Sequence, residues 1–82
     1  MNPFAKREFR WNHWNIDHIA KHGLEPWQAE HVVRNAKHPY PRHHRKGTWL
    51  VKGRLPDGRS AQVVFTIDSD EFLYVIHAMP RK

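Results

Sequence analysis

The segment TWLVKGRLPDGRSAQVVFTID, residues 48–68, contains two strand patterns separated by a turn signal. The stretches Thr48–Leu55 and Arg59–Asp68 are rich in β-branched and aromatic residues, which pack well on a pleated surface. Between them, Pro56–Gly58 favours a turn, because Pro presets its own φ and Gly tolerates positive φ. The second strand has an alternating apolar face made of Val63, Phe65 and Ile67. The segment therefore predicts an antiparallel hairpin.

A third strand pattern follows directly, from Glu71 to Met79, after a turn at Ser69-Asp70. Its stretch Phe72–Ile76 is apolar on both faces, which is typical of an interior strand that is covered, at least in part, on both sides. The three strands together predict an antiparallel meander. If helices cover one face of this small sheet, the other face is exposed and available for an oligomer contact or another partner.

The N-terminal half has helical periodicity, preceded by a short edge strand at residues 8–11, where polar and apolar residues alternate. Asn12 is a suitable N-cap for a first helix over about residues 13–22. Gly23 is suited to end that helix in a left-handed conformation. The expected apolar face consists of Ile16, Ile19, Ala20 and Gly23.

A second helix is predicted from Pro26, which fits a first helical position, to about Ala36 or Lys37, ahead of Pro39. Its apolar stripe consists of Ala29, Val32, Val33 and Ala36. The large aromatic residues expected in the core are Trp14, Trp27 and Trp49. These elements predict an α+β fold: a short N-terminal strand, two helices on one sheet face, and a three-stranded antiparallel meander. With 82 residues, the chain is expected to form a single domain over 1–82.

Composition indicates a polyanionic partner. Fourteen Lys and Arg against eight Asp and Glu give a formal net charge of +6, which is typical of proteins that bind nucleic acid or acidic proteins, although a basic surface also serves solubility. The absence of Cys excludes disulfides and thiolate metal sites. No segment is apolar enough for a membrane span or a signal peptide, so we expect a cytoplasmic protein without membrane contact.

The first helix carries groups suited to acid–base chemistry on a polyanionic substrate such as RNA. Asn15, His18 and His22 fall along one side of it, with Lys21 beside them. Cleavage without a metal or other cofactor needs a base for the ribose 2′-OH, an acid for the leaving 5′ oxygen, and positive charge for the phosphate. Imidazoles suit the proton transfers and a guanidinium suits the phosphate. The predicted catalytic residues are His18, Lys21, His22 and Arg54.

The segment KHPYPRHHRKG, residues 37–47, is predicted to be a loop that is either solvated and mobile or in contact with a phosphate backbone. In the second case the Arg42–Lys46 part closes over the helical row, and Tyr40 stacks on an RNA base. The predicted RNA-binding residues are Tyr40, Arg42, His43, His44, Arg45, Lys46 and Lys52.

Each candidate also has a structural interpretation. His22 can satisfy the negative end of its helix, and His18 can pack on Trp14 or Trp11. Asn15 can stabilise the first helical turn. Lys21 can lie on a solvated helix face, and Arg54 can form a surface ion pair. His77 is equally compatible with a core position and with a role as acid or base.

A metal site is a further alternative. His18 and His22 have the i, i+4 spacing with which two imidazoles can share an ion, and His43 or His44 would be a third ligand. The basic surroundings repel a cation, so no metal site is predicted.

The segment WNHWNIDHIAKHGLEPWQAEHV, residues 11–32, resembles the BrnT-like toxin family. The matching helical positions are Trp11, Asn12, Asn15, His18, Lys21, His22 and Gly23. The stretch 49–54 resembles the strand of the family that ends in Gly-Arg, and 63–66 resembles its second strand. The resemblance implies a RelE-like α+β fold and a bacterial ribonuclease toxin of a type II toxin–antitoxin pair, with RNA as substrate and a cognate antitoxin as partner.

One position departs from the family pattern. The last strand of the family continues into an Ala-Arg pair, whereas Ala78 is followed here by Met79, and Arg81 is the candidate substitute. This departure favours an alternative function, a non-catalytic module with the toxin fold that binds nucleic acid or a protein.

Overall fold

Seven elements of secondary structure follow one another along residues 2–81, the part of the chain that the computed structural model describes. They are β1 (Phe9–Arg10), α1 (His13–Ala20), α2 (Pro26–Arg34), β2 (Arg42–His43), β3 (Thr48–Arg54), β4 (Ser60–Ile67) and β5 (Leu73–Pro80). The strands form one sheet in the order β1-β5-β4-β3-β2, in which β1 is parallel to β5 and the other neighbours are antiparallel. The α+β class is confirmed, with a mixed five-stranded sheet where three consecutive strands and one short edge strand were expected.

The predicted hairpin is present as β3 and β4, paired from Thr48 opposite Thr66 to Arg54 opposite Ser60. Gly58 has a φ of +92°, a conformation that side chains with a Cβ rarely adopt, so this position requires its glycine. The Leu55 amide donates to the Arg59 carbonyl and closes the turn.

Strand β5 lies inside the sheet, with β4 on one side and β1 on the other, which confirms its predicted interior position. Its buried residues are Leu73, Val75 and Ala78. The register with β4 is irregular: Phe65 pairs with Val75, whereas Val64 pairs with His77. A bulge of this kind re-aims the side chains beside it, because one strand has an extra residue.

Both helices contribute to one core, α1 by packing against β5 and α2 by packing against β3 and β4. The largest fully buried side chains are Phe65, Ile19, Leu55, Leu73, Val32, Val33, Val51, Val63, Val75 and Asn15. The predicted apolar face of α1 is correct only for Ile19, because the other buried residue of this helix is Asn15, whereas Ile16 and Ala20 are exposed. The stripe of α2 is correct for Ala29, Val32 and Val33.

The prediction that three Trp residues lie in the core is wrong for two of them. Trp14 and Trp27 are each 56% exposed, whereas Trp49 is half-buried, with its ring centroid 5.0 Å from that of Phe4. In α1 the buried positions are 15 and 19, so Trp14 points about 100° away from Asn15 and about 140° away from Ile19. Size and apolarity favour burial of a Trp, but helical phase decides it.

The expected loop at residues 37–47 contains the short strand β2, in which Arg42 pairs with Leu50 and His43 with Trp49. Helix α2 ends at Arg34, before the predicted end, because Asn35 leaves the helical conformation (φ −105°, ψ 19°) and its side chain bonds the His31 carbonyl.

The sheet face opposite the main core has its own apolar pair. Leu50 and Val64 face each other on β3 and β4 and are only 6% and 7% exposed. An oligomer contact through this face stays a prediction. Of the helices within residues 2–81, none has the length and apolarity to cross a bilayer.

Candidate nucleic-acid interface

A reciprocal pair of Asn side chains fixes the start of α1. The Asn12 side-chain oxygen accepts from the backbone amides of Trp14 (3.0 Å) and Asn15 (3.3 Å). In return, Asn15 Oδ1 accepts from the Asn12 amide at 2.8 Å, and Asn15 Nδ2 donates to the Arg10 carbonyl at 3.0 Å. Asn15 is fully buried, and its hydrogen bonds join α1 to β1. Asn15 therefore stabilises the first turn of α1, as its structural interpretation predicted.

Trp14 lies on the outer side of the first turn of α1, and its ring stacks with two neighbouring rings. Its ring stacks on His18, with centroids 5.0 Å apart and planes within 5°, and on Tyr74 at 6.3 Å. The Tyr74 hydroxyl donates to Asn12 Oδ1 at 3.1 Å, which ties β5 to the first turn of α1. The packing of His18 on Trp14 is thus confirmed, and more than half of the Trp14 surface remains open to a ligand.

Three imidazoles meet where α1 faces β5, and we call His18, His22 and His77 the imidazole cluster. The His77 ring centroid lies 5.5 Å from that of His22 and 6.4 Å from that of His18. Gly23, with a φ of +77°, turns the chain away directly after His22 and leaves this imidazole exposed. Lys21 is exposed on the same terminal turn.

The environment of the cluster favours a neutral His77. Partial burial lowers the pKa of His77, and the positive charge that His22 and His18 can carry lowers it further. At neutral pH this imidazole therefore has a free lone pair that can accept a proton. Two further imidazoles lie close by, with ring centroids 5.5 Å (His22) and 6.4 Å (His18) from that of His77.

A second surface lies between the end of α2 and β3. His31, Asn35, Lys37, Lys52 and Arg54 line a cleft of about 430 Å³, which we call the basic cleft. Its ionisable residues are all basic. Arg54 Nη1 donates to the Gly58 carbonyl at 3.0 Å, so a hydrogen bond to the hairpin turn orients this guanidinium.

The predicted meeting of Arg54 with the helical imidazoles does not occur. The basic cleft lies at β3 and the imidazole cluster at β5, with β4 between them. Lys52 pairs with Gln62, and Gln62 pairs with Met79, two residues beyond His77. Strand spacing and rise then place the Cα atoms of Lys52 and His77 about 12 Å apart. The residues predicted to form one site thus lie on two separate surfaces, because β4 lies between β3 and β5.

The basic segment 42–46 does not close over α1, because β2 is the strand at the opposite end of the sheet from β1. The His43 ring packs on Trp49, with centroids 4.0 Å apart, and the Arg42 guanidinium lies 5.2 Å from the Tyr40 ring centroid. Tyr40 is half-buried against the core and not exposed as predicted, and its stacking on an RNA base stays a prediction. Besides Arg42 and His43, three residues of the segment 42–46 are exposed: His44, Arg45 and Lys46.

The same topology separates the residues of the metal alternative. His43 and His44 lie across the sheet from His18 and His22, so they are not placed to complete a shared coordination sphere. Within residues 2–81, no group of three potential ligands has the geometry for a metal ion. Arg81 is exposed, and its amide donates to the Ser60 carbonyl; Ser60 pairs with Arg54, so Arg81 lies at that end of the sheet.

Several residues of these surfaces were outside the predicted site: His77, Tyr74, Trp14, His31, Asn35 and Lys37. Three of them left a signal, since Trp14 and His18 have the i, i+4 spacing of helical neighbours, as do His31 and Asn35. His77 left no comparable signal, because its contacts depend on how α1 packs on β5. The functional interpretation depends on the geometry of the two surfaces. No family model, curated protein or solved structure matches this chain.

Proposed function

We propose that this protein is a metal-independent ribonuclease toxin of the BrnT-like family, with a RelE-like fold, acting in the bacterial cytoplasm and neutralised by a cognate antitoxin. The observation that carries the proposal is the convergence of His18, His22 and His77 beside the exposed Trp14 ring. The resemblance of the α1 segment to that family and the net charge of +6 support it.

In the proposed reaction, His77 accepts the proton of a ribose 2′-OH, since its lowered pKa keeps it neutral at pH 7. The 2′ oxygen forms a bond to the adjacent phosphorus as the bond from phosphorus to the 5′ oxygen breaks. His22 donates a proton to the departing 5′ oxygen, and Lys21 stabilises the charge on the phosphoryl oxygens. The products are a 2′,3′-cyclic phosphate and a 5′-hydroxyl end.

The rings next to the cluster suit a single-stranded substrate. Trp14 and Tyr74 offer flat faces, and unstacked bases of single-stranded RNA stack on aromatic side chains. A base on Trp14 brings its ribose near the imidazoles, since the Trp14 ring already stacks on His18. Duplex RNA keeps its bases stacked internally and is expected to be a poor substrate.

The test is incubation of the purified chain with single-stranded RNA in EDTA at pH 7, followed by analysis of the product ends. Cyclic phosphate and 5′-hydroxyl ends are expected, and 2′-O-methyl RNA of the same sequence stays intact because it has no nucleophile. A folded protein that leaves the RNA whole, or that leaves 5′-phosphate ends, contradicts the proposal.

The alternative is a non-catalytic module that binds nucleic acid or a protein. The separation of Lys52 and Arg54 from the imidazoles favours it, as does Met79 in place of the arginine of the family. Such a module binds RNA with an affinity that falls steeply with salt and releases no product. Affinity that does not change with salt points to a specific protein partner instead.

A further inference from the structure

The basic cleft holds cations without counter-charges. Lys37, Lys52 and Arg54 line one cavity, and none of them forms an ion pair within residues 2–81. Glu30, the acidic residue of α2, already accepts a hydrogen bond from the Trp11 indole and forms an ion pair with Arg34. Like charges gathered in a cleft repel each other, and a bound anion relieves that repulsion.

The walls of the cleft leave these donors available. The carbonyl of His31 at the end of α2 accepts from the Asn35 amide at 3.1 Å and from Asn35 Nδ2 at 2.8 Å. This carbonyl therefore does not compete for the cations. The volume of about 430 Å³ is in the range of small-ligand sites, with room for a phosphodiester and its sugar.

Trp27 is an exposed aromatic residue one helical turn before His31, which lines this cleft. Trp27 precedes His31 by four residues on α2, and His31 precedes Asn35 by four, so all three lie along one side of the helix. Trp27 is 56% exposed, which is unusual for so large an apolar side chain. A flat ring beside a group of cations matches a nucleotide, with its base on the ring and its phosphate in the cleft.

We propose that the basic cleft and Trp27 form a second subsite for single-stranded RNA, which holds a phosphate and a base of the strand away from the scissile bond. The identity of the strand as RNA rests on the proposed function. The Cα atoms of Lys52 in the cleft and His77 in the cluster are about 12 Å apart on β3 and β5, a distance that one RNA chain can span. The cleft positions RNA and takes no part in proton transfer.

The first test measures binding of a fluorescein-labelled 2′-O-methyl oligouridine of twelve nucleotides by anisotropy over a series of salt concentrations. Lys52→Gln is expected to weaken binding several-fold and to reduce the slope of log K against log salt by about 0.7, the value for one phosphate contact with a single strand. Lys6→Gln removes the same charge from an exposed position outside the cleft and should leave the slope unchanged. Equal slopes for the two variants overturn the proposal.

The second test uses the same probe with Trp27 variants. Trp27→Ala is expected to weaken binding roughly tenfold, within the range for the loss of one stacked base, whereas Trp27→Phe keeps most of the affinity. Because Trp27 is exposed, both variants should fold, which a thermal melt checks. Wild-type affinity for Trp27→Ala overturns the proposed stacking.

These outcomes are separate from the outcome of the cleavage test, because the 2′-O-methyl probe has no nucleophile. Binding that depends on Lys52 and Trp27 supports the subsite even if the chain cuts no RNA. Cleavage together with unchanged binding by both variants overturns the subsite and leaves the ribonuclease intact. A labelled Glu-rich peptide that binds more tightly than the oligonucleotide, with the same dependence on Lys52, also overturns it, because the cleft then fits an acidic protein segment.

Discussion

The α1–β5 side and the α2–β3 side of the sheet hold polar groups in opposite ways. In the imidazole cluster the His18 and His22 rings lie 5.5–6.4 Å from that of His77 between centroids, and partial burial lowers the pKa of His77. In the basic cleft Lys52 and Arg54 line a solvent-filled cavity without ion pairs within residues 2–81. Proton transfer benefits from packed groups with adjusted pKa values, whereas phosphate binding benefits from charges that stay ionised. The difference predicts that chemistry and RNA positioning can be disabled separately.

The largest expected effect is on catalytic activity. His22→Gln should lower the rate of RNA cleavage about 100-fold or more, the usual size for the loss of a general acid. Arg54→Gln should act through weaker binding, as a rise in KM with kcat nearly unchanged. The measurement is steady-state cleavage of a labelled single-stranded RNA in EDTA. An equal fall in kcat for both variants would mean that the two surfaces form one catalytic centre.

The second effect concerns the stability of the two helices. Asn15→Ala leaves the Asn12 amide and the Arg10 carbonyl without their partner in a buried place, so the free energy of unfolding should fall by about 2 kcal/mol. The matched change Asn35→Ala removes an exposed hydrogen bond at the end of α2 and should cost under about 0.5 kcal/mol. Urea unfolding followed by circular dichroism measures both values. Equal losses would show that the capping pair is not the main anchor of α1.

The smallest effect is on the pH dependence of stability. The pKa of His77 is lowered in the folded state, so between that pKa and the unfolded value of about 6.5 the unfolded chain binds more protons. Stability from this group is therefore complete above pH 6.5 and falls as the pH drops through the folded pKa.

Urea unfolding at pH 7.5 and 5.5 tests this sign. His77→Gln should reduce the loss of stability at the lower pH, whereas His31→Gln, in the basic cleft, should leave that loss as in the wild type. If His77→Gln keeps the full pH dependence, the loss comes from other groups.

Local sequence signals predicted much of the fold. Asn12 as N-cap, Gly23 as helix stop, Pro26 as helix start and the Pro56–Gly58 turn are all where the pattern placed them. Each of these depends on contacts within a few residues, which a single sequence contains. The short strand β2 was missed because a two-residue strand in a loop, directly after Pro41, has no periodicity.

The candidate site was predicted only in part. The neighbouring positions of His18 and His22 on one helix followed from spacing, but the approach of His77 depends on the bulge in β5 and on the packing of α1. The expected contact between Arg54 and the helical imidazoles is absent, because β4 lies between β3 and β5. This strand order is not determined by local sequence. Trp14 was expected in the core, yet its exposure makes it a candidate RNA contact.

By itself, the sequence determined the basic charge, the helix boundaries near Asn12 and Gly23 and the hairpin, because composition and short-range hydrogen bonds need no distant partner. Only the tertiary structure decided that His77 joins His18 and His22 and that Arg54 lies in a separate cleft. Those contacts join residues far apart in the chain, and strand order, register and helical phase select them during packing of the whole core.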